Sequence, residues 1–511
     1  MGDPLSRKTI ITGTLILTTA SLITKMMGFY YRVYMSDAIG AEGMGLYQLI
    51  LPIYSLAWSI TSSGFTTTIS RLTAQENVKG ESGNIGRIVK QSLCFSLIIS
   101  LLVSGALFLF ANPIAIHILK ESRTNISLKF LAFAIPFMAT GSCFRGYFLG
   151  LQNAVIPAIS QVLEQSVRIF IIFTLAGLFV PYGLKYACLA AVSGIIAGEV
   201  ISCLFNVYQY LSYKKKNRLY KRPSLSAGNT ARLILAMALP LSASRIITSL
   251  LSTVENILIP RQLQLFGQNA SEALSTYGEL TGMAMPLILL PSSFLMAASL
   301  SLVPEISEAS AAKQGARIER TVSITFLFTF IVGIGSCAVF AVFPNEICYV
   351  VYNREGLGAI LFPLAFLCPF LYAQITLNGL LNGLGEQGFL FFNNLGSSLI
   401  AIGIIWFFMP HYGIPAFLCG WAASLGFSVV DCLHKLRQRT GAFPDFKNCF
   451  LKPLLAGGAS GLLVRYFLWH TTPTKLIFLL ALGVMGVLYL FFLFLLGCFS
   501  GENRDVFFRK S

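Results

Sequence analysis

Charge is scarce in this sequence. Asp, Glu, Lys and Arg make up only 11% of its 511 residues, against about 25% in a soluble domain. A soluble chain of this length would divide into several domains with polar surfaces, and this one has too few charges to cover them. Paired cysteines are missing as well. The 11 cysteines are scattered through apolar blocks with no CxxC, and the 4 histidines lie far apart. That pattern excludes a disulfide framework and a zinc site. No Walker motif, HExxH or nucleophile elbow occurs, so the residues imply no ATPase, no enzyme, no metal and no cofactor.

What the chain has instead is hydrocarbon. It is 55% hydrophobic, with a mean hydropathy of +0.73. The apolar residues come in repeated blocks of about 20, the length that crosses a bilayer core. The blocks predict an all-α polytopic membrane protein with about fourteen spans. They run near 9–34, 46–74, 88–111, 126–149, 157–180, 185–211, 229–258, 277–303, 321–343, 357–382, 388–409, 413–434, 449–469 and 474–498. The first block follows Arg7 and Lys8 and has no small-residue cleavage site after it, so it reads as a retained helix.

The net charge of +16 has two readings. Nucleic-acid binding requires a soluble basic face; the alternative is a bias of Lys and Arg toward cytoplasmic loops. An even number of spans puts both termini on one side. With that side cytoplasmic, about 23 basic residues fall inside and about seven outside, the positive-inside pattern. The inside set is densest at 214–222, with Lys214, Lys215, Lys216, Arg218, Lys221 and Arg222. The bias accounts for the charge without nucleic acid and predicts cytoplasmic termini in the plasma membrane.

The same basic loop divides the chain. The segment LAFAIPF at 131–137 resembles LAFLCPF at 364–370, and the same offset aligns Gly146 and Gly150 with Gly379 and Gly383. The repeat predicts an N-terminal six-helix lobe over 1–225, a C-terminal six-helix lobe over 226–440, and two additional helices with a tail over 441–511. Copies in one orientation are related by an axis along the membrane normal and commonly enclose a site.

Charges inside spans are costly unless they face a cavity or a partner, so they are the candidate functional residues. Lys25 and Arg32 lie seven residues apart, two turns, on one helix face. Arg145 is in the fourth span. Glu164 and Arg168 form an i,i+4 pair in the fifth. Glu199 is in the sixth, Arg245 and Glu255 in the seventh, Glu279 in the eighth. The first span of each half thus carries one cation, Lys25 or Arg245, and the repeat would bring these two face to face. Cations of this kind suit a phosphate or pyrophosphate, whereas Glu255 and Glu279 would suit a cationic drug.

Several segments match a known family. They are TKMMGFYYR at 24–32, IGAEGMGLYQ at 39–48, FRGYFLGLQN at 144–153, ISQVLEQSVRI at 159–169, VPYGLKYA at 180–187, Ser244–Arg245, YGELTGMAM at 277–285 and LVPEISEA at 302–309. Through them the chain resembles the polysaccharide and oligosaccharidyl-lipid flippases of the multidrug/oligosaccharidyl-lipid/polysaccharide exporter superfamily. The likeness is to their sporulation branch, related to MurJ-type lipid II flippases. The resemblance implies a MATE-like bundle of two lobes that flips an undecaprenyl-pyrophosphate-linked precursor, such as lipid II, for spore-cortex peptidoglycan. It implies binding by Lys25, Arg32, Arg245 and Arg145, with Glu164, Arg168, Glu255 and Glu279 gating or shaping the cavity. Lys25 falls where those flippases carry a basic residue in the first helix; Glu279 stands near where they carry an arginine. The partners implied are the lipid-linked saccharide, membrane lipids and a cell-wall synthase. A polysaccharide-repeat flippase, an ion-coupled drug antiporter and a non-transporting scaffold for synthases remain as rival readings.

Overall fold

The computed structural model of the chain describes residues 4–216, 223–312, 314–441, 443–445, 447–468 and 475–498. Arg218, Lys221 and Arg222 of the basic loop, Lys313 and the tail from 499 lie outside them. Among the described residues the chain is helical throughout, with turns between helices and no strand. Packing divides it into two compact units, up to Gly278 and from Glu279 onward.

The first unit holds α1 (Pro4–Trp58), α2 (Gly64–Val78), α3 (Ser82–Pro113), α4 (Asn125–Gly150), α5 (Val155–Phe179), α6 (Leu184–Lys216), α7 (Ala227–Leu265) and α8 (Ala270–Tyr277). No loop separates the first two expected spans. Instead α1 runs through and bends at Gly40, whose φ of 68° is open to glycine. A π-helical turn, Ser59–Ser63, then leads into α2. The bend reverses the chain. Thr24 meets Gln161, Gly28 meets Gln165, and Tyr34 stacks on Phe173 at 3.9 Å. These contacts advance together along both helices, so the first arm of α1 and α5 are parallel. Parallel alignment requires that the stretch from Gly40 to α2 cross back between them.

Glycines set the closest approaches in this unit. A Cβ on Gly146 would lie 2.5 Å from the Thr66 carbonyl, and one on Gly150 2.6 Å from that of Ser70. The glycine pair picked out by the repeat therefore seats α4 on α2. Helix α7 packs on α1, α2 and α3; a Cβ on Gly64 would strike the Ala238 carbonyl at 2.5 Å. The first unit thus extends past the basic loop and takes in α7, which the repeat reading placed at the head of the second lobe.

The second unit begins in a π-helical segment, Gly278–Ala284. It continues through α9 (Met285–Ala311), α10 (Gly315–Val342), α11 (Pro344–Tyr352), α12 (Gly358–Ala365), α13 (Cys368–Gly383), α14 (Gln387–Tyr412), α15 (Ile414–Thr440), α16 (Lys452–Leu468) and α17 (Lys475–Leu495). Its core gathers Val322, Phe326, Leu377, Leu380 and Leu381. The second copy of the repeated segment is bent: α12 and α13 meet at 53°. Pro369 lacks the N–H that would continue the ladder, and Pro363 lies six residues earlier.

Large apolar side chains such as Leu109, Phe407, Leu462 and Phe494 are exposed along the helices. In water such a surface would aggregate; in a bilayer it is solvated. The chain is a multi-pass membrane protein. Among the described residues, ten helices are long and apolar enough to cross a membrane, or eleven if α12 and α13 form one bent span. The other three expected spans, 9–34, 46–74 and 449–469, fall on α1, on α1 with α2, and on the 17-residue α16.

Candidate functional site

One face of α5 carries Gln161, Glu164, Gln165 and Arg168, at i, i+3, i+4 and i+7. That spacing aligns them in a stripe, and α5 lays it against α1 and α6. Glu164 is the hub. Its Oε1 accepts from Arg168 at 2.7 Å within α5, and its Oε2 accepts from Arg145 of α4 at 3.2 Å. Arg145 also donates to Ser142 Oγ at 2.9 Å, and Arg168 to Gln165 Oε1 at 3.4 Å. All three charges are largely withdrawn from solvent, with side-chain exposures of 14% for Glu164, 19% for Arg168 and 21% for Arg145.

A second carboxylate completes the cluster. Glu199 of α6 is 3% exposed and accepts a hydrogen bond from the Tyr54 hydroxyl of α1. Arg145 and Arg168 lie within its electrostatic reach. Two arginines therefore face two carboxylates, one bonded to both cations and one to a phenol. Arg168 keeps a spare donor, since its Nε is buried with no acceptor among the described residues.

The structure joins Arg145, Glu164 and Arg168 directly. Lys25 and Arg32 lie on the first arm of α1, the arm that packs on α5; Lys25 is exposed and Arg32 half-buried. Arg245 is exposed on α7. Glu255 is half-buried on the same helix. Glu279 opens the second unit, where Arg354 lies within electrostatic reach. Tyr54 was not foreseen, because a tyrosine in an apolar run carries no signal of its own. Glu199 was visible as an intramembrane charge, yet nothing in the sequence tied it to a partner 145 residues away.

At the connection between α3 and α4 a smaller clamp holds the bend of α1. Arg123 donates to Glu121 at 2.7 Å and to Glu42 at 2.8 Å. Burial pushes the Glu121 carboxyl up, but the hydrogen bonds and charge of Arg123 outweigh it and hold the group below its usual value.

Comparison with known proteins gives this arrangement a context. Residues 10–310 match the family described as polysaccharide biosynthesis protein. The chain is 32% identical to stage V sporulation protein B of Bacillus subtilis (strain 168), over 84% of this chain and 83% of that protein. Among solved structures it resembles lipid II flippase MurJ in an inward closed conformation, with TM-score 0.71 at 15% identity, covering 97% of this chain and 99% of the other. It also resembles an inward-facing multidrug resistance MATE family transporter, with TM-score 0.63 at 15% identity, over 82% and 94% of the two chains. The expected MATE-like helical fold is therefore shown.

Proposed function

The chain belongs to the polysaccharide biosynthesis protein family, and on that premise we propose that it flips a lipid-linked cell-wall precursor across the plasma membrane. The cargo we propose is an undecaprenyl-pyrophosphate-linked saccharide, lipid II, used for spore-cortex peptidoglycan. Its relative named for stage V of sporulation and its structural neighbour named as a lipid II flippase support this choice.

The observation that carries the reading is a surplus of cations in the first unit. Among the charges inside its helices, Lys25, Arg32, Arg145, Arg168 and Arg245 stand against Glu164, Glu199 and Glu255, and Glu164 and Glu199 are already engaged. The buried Nε of Arg168 is a donor awaiting an acceptor. A pyrophosphate supplies negative charge and several acceptor oxygens. A cationic drug would meet repulsion here.

In this reading Lys25, Arg32, Arg245 and Arg145 receive the pyrophosphate. Glu164 and Arg168 set how much of the Arg145 charge is free, and Glu255 and Glu279 shape the path. The prenyl tail stays in the bilayer while the lobes alternate in access. The energy comes from the membrane potential or an ion gradient, because the sequence carries no ATPase motif. Both termini are cytoplasmic, and a cell-wall synthase takes the delivered precursor.

Lipid II translocation in vesicles containing the purified protein tests this. Wild type should move lipid II faster than empty vesicles, and Lys25→Ala with Arg245→Ala should lose most of that rate while remaining folded. Equal rates with and without folded protein would sink the proposal. Transport of cationic dyes in its place would favour the drug-antiporter reading.

A further inference from the structure

Helix α16 sits on α10 through a glycine step. A Cβ on Gly457 would meet Ile334 at 3.2 Å and Ala338 at 3.4 Å, and one on Gly461 would meet Val342 at 2.7 Å. These two positions, one turn apart, let the backbones approach. Gly458 is different: a Cβ there would find nothing within 4 Å. Two glycines draw the helices together and the third leaves room.

That room is part of a cavity of about 470 Å³ between α10, α11, α12 and α16. Its wall is apolar, with Cys337, Ala341, Phe362, Phe366 and Leu462 along it. Charged groups gather at one end only. There Arg465 donates to Glu346 at 2.9 Å, while its side chain remains 52% exposed. A guanidinium has five N–H donors, so further bonds can form at the mouth.

The position of the mouth matters. Helix α10 begins with Arg317 and Arg320 and reaches the cavity in its last turns; α16 begins at Lys452 and reaches Arg465 in its last turn. The charged mouth therefore lies at the ends of both helices away from their basic starts. In the proposed orientation this is the outer interface of the bilayer, with the apolar slot running inward from it. A slot that is apolar along its length and carries one cation and one anion at its mouth has the polarity of a zwitterionic lipid. The lipid phosphate matches Arg465, and an ammonium matches Glu346. A purely anionic head group would leave Glu346 facing a like charge.

We infer that the cleft between α10 and α16 binds one outer-leaflet aminophospholipid, its acyl chain in the slot beside Gly458 and its zwitterionic head on Arg465 and Glu346. The bound chain fills the space that the glycine step leaves open and ties α16 to the rest of the second unit.

Native mass spectrometry of the purified full chain tests this, with phosphatidylethanolamine or phosphatidylglycerol added back after delipidation. Wild type and Gly458→Ala should each retain one phosphatidylethanolamine, since a methyl fits the open space. Gly458→Leu fills the slot and should weaken retention at least about tenfold. Arg465→Gln should weaken it severalfold, and phosphatidylglycerol should bind wild type less well than phosphatidylethanolamine. Retention unchanged by both Gly458→Leu and Arg465→Gln would overturn the site. So would equal binding of the two lipids. If Gly458→Leu fails to fold, Arg465→Gln measured against Gly458→Ala decides alone.

Discussion

In the first unit the buried polar chemistry is ionic: Arg145, Glu164 and Arg168 pair across α4 and α5, and Glu199 sits beside them on α6. In the second unit an ionic contact, Glu386 with Lys435 and Arg439, sits at the start of α14 and the end of α15, and the bonds deeper between helices are mainly neutral. Thr329 and Thr376 share a hydrogen bond of 2.7 Å between α10 and α13, and Ser428 donates to Asn393 at 2.7 Å between α15 and α14. Tyrosines cap backbone carbonyls there. Tyr352 donates to Met283 O at 3.0 Å and Tyr372 to Ile288 O at 2.7 Å. Each of those carbonyls lies three residues before a proline, Pro286 or Pro291, whose missing N–H and ring disturb the helical hydrogen-bond ladder there. Neutral bonds of this kind repair local backbone geometry. A charged cluster does more than repair, because hydrophobic or hydroxyl packing would hold helices together at less desolvation cost. The difference directs the search for cargo-handling groups to the first unit.

The repeated proline–glycine segment sharpens the contrast. In α4 the helix runs unbroken through Pro136, and Thr140 donates to the Pro136 carbonyl at 2.8 Å. In the second copy the chain breaks between α12 and α13. The same local sequence is thus a straight helix where one proline stands alone and a bent one where Pro363 is added.

The largest expected effect comes from removing the hub. Glu164→Gln leaves Arg145 and Arg168 facing each other in a poorly solvated place. Breaking a buried pair from one side costs about 3 kcal/mol, so the melting temperature in detergent should fall sharply. Adding Arg145→Gln should restore part of the loss, because it removes the stranded charge; a double-mutant cycle reads the coupling directly. If Glu164→Gln melts like wild type, the cluster is not the electrostatic centre of the first unit.

Two tyrosines compare the units on equal terms. Tyr54→Phe removes the donor to a nearly buried carboxylate and should cost about 2 kcal/mol, as for hydrogen bonds to charged groups. Tyr372→Phe removes a donor to a neutral carbonyl and should cost about 1 kcal/mol. Equal losses in thermal unfolding would erase the ionic-versus-neutral distinction.

How far these features could be read beforehand depends on how local they are. Ten or eleven of the fourteen expected spans were legible because each is a contiguous apolar block. The Glu164–Arg168 pair was legible because four residues is one helical turn. Arg145 and Glu199 were legible as charges but not as partners, since their contacts join different helices. The bend at Gly40 was not: the chain between the expected spans 9–34 and 46–74 reads as a loop, yet it stays helical and turns at one residue. The grouping of α7 with the first unit was hidden too. It rests on close approaches such as Gly64 on Ala238, which no periodicity reports.

The smallest expected effect lies at the connection between α3 and α4, where Arg123 clamps Glu121 and Glu42. Arg123 holds the Glu121 carboxyl below its ordinary value of 4.5 in the folded chain, against the opposing effect of burial. A depressed carboxylate binds fewer protons folded than unfolded, so its stabilisation is fully present above the unfolded value and is lost as pH falls through the lower folded one. Glu121→Gln should therefore melt slightly below wild type at pH 7 and at pH 5.5 alike. The gap should close only as the pH drops below about 4.5, the ordinary carboxylate value. A gap that closes already between pH 7 and pH 5.5 would mean that something other than this carboxylate sets the difference. The bend at Gly40 would then be held by packing alone, as the neutral contacts hold the second unit.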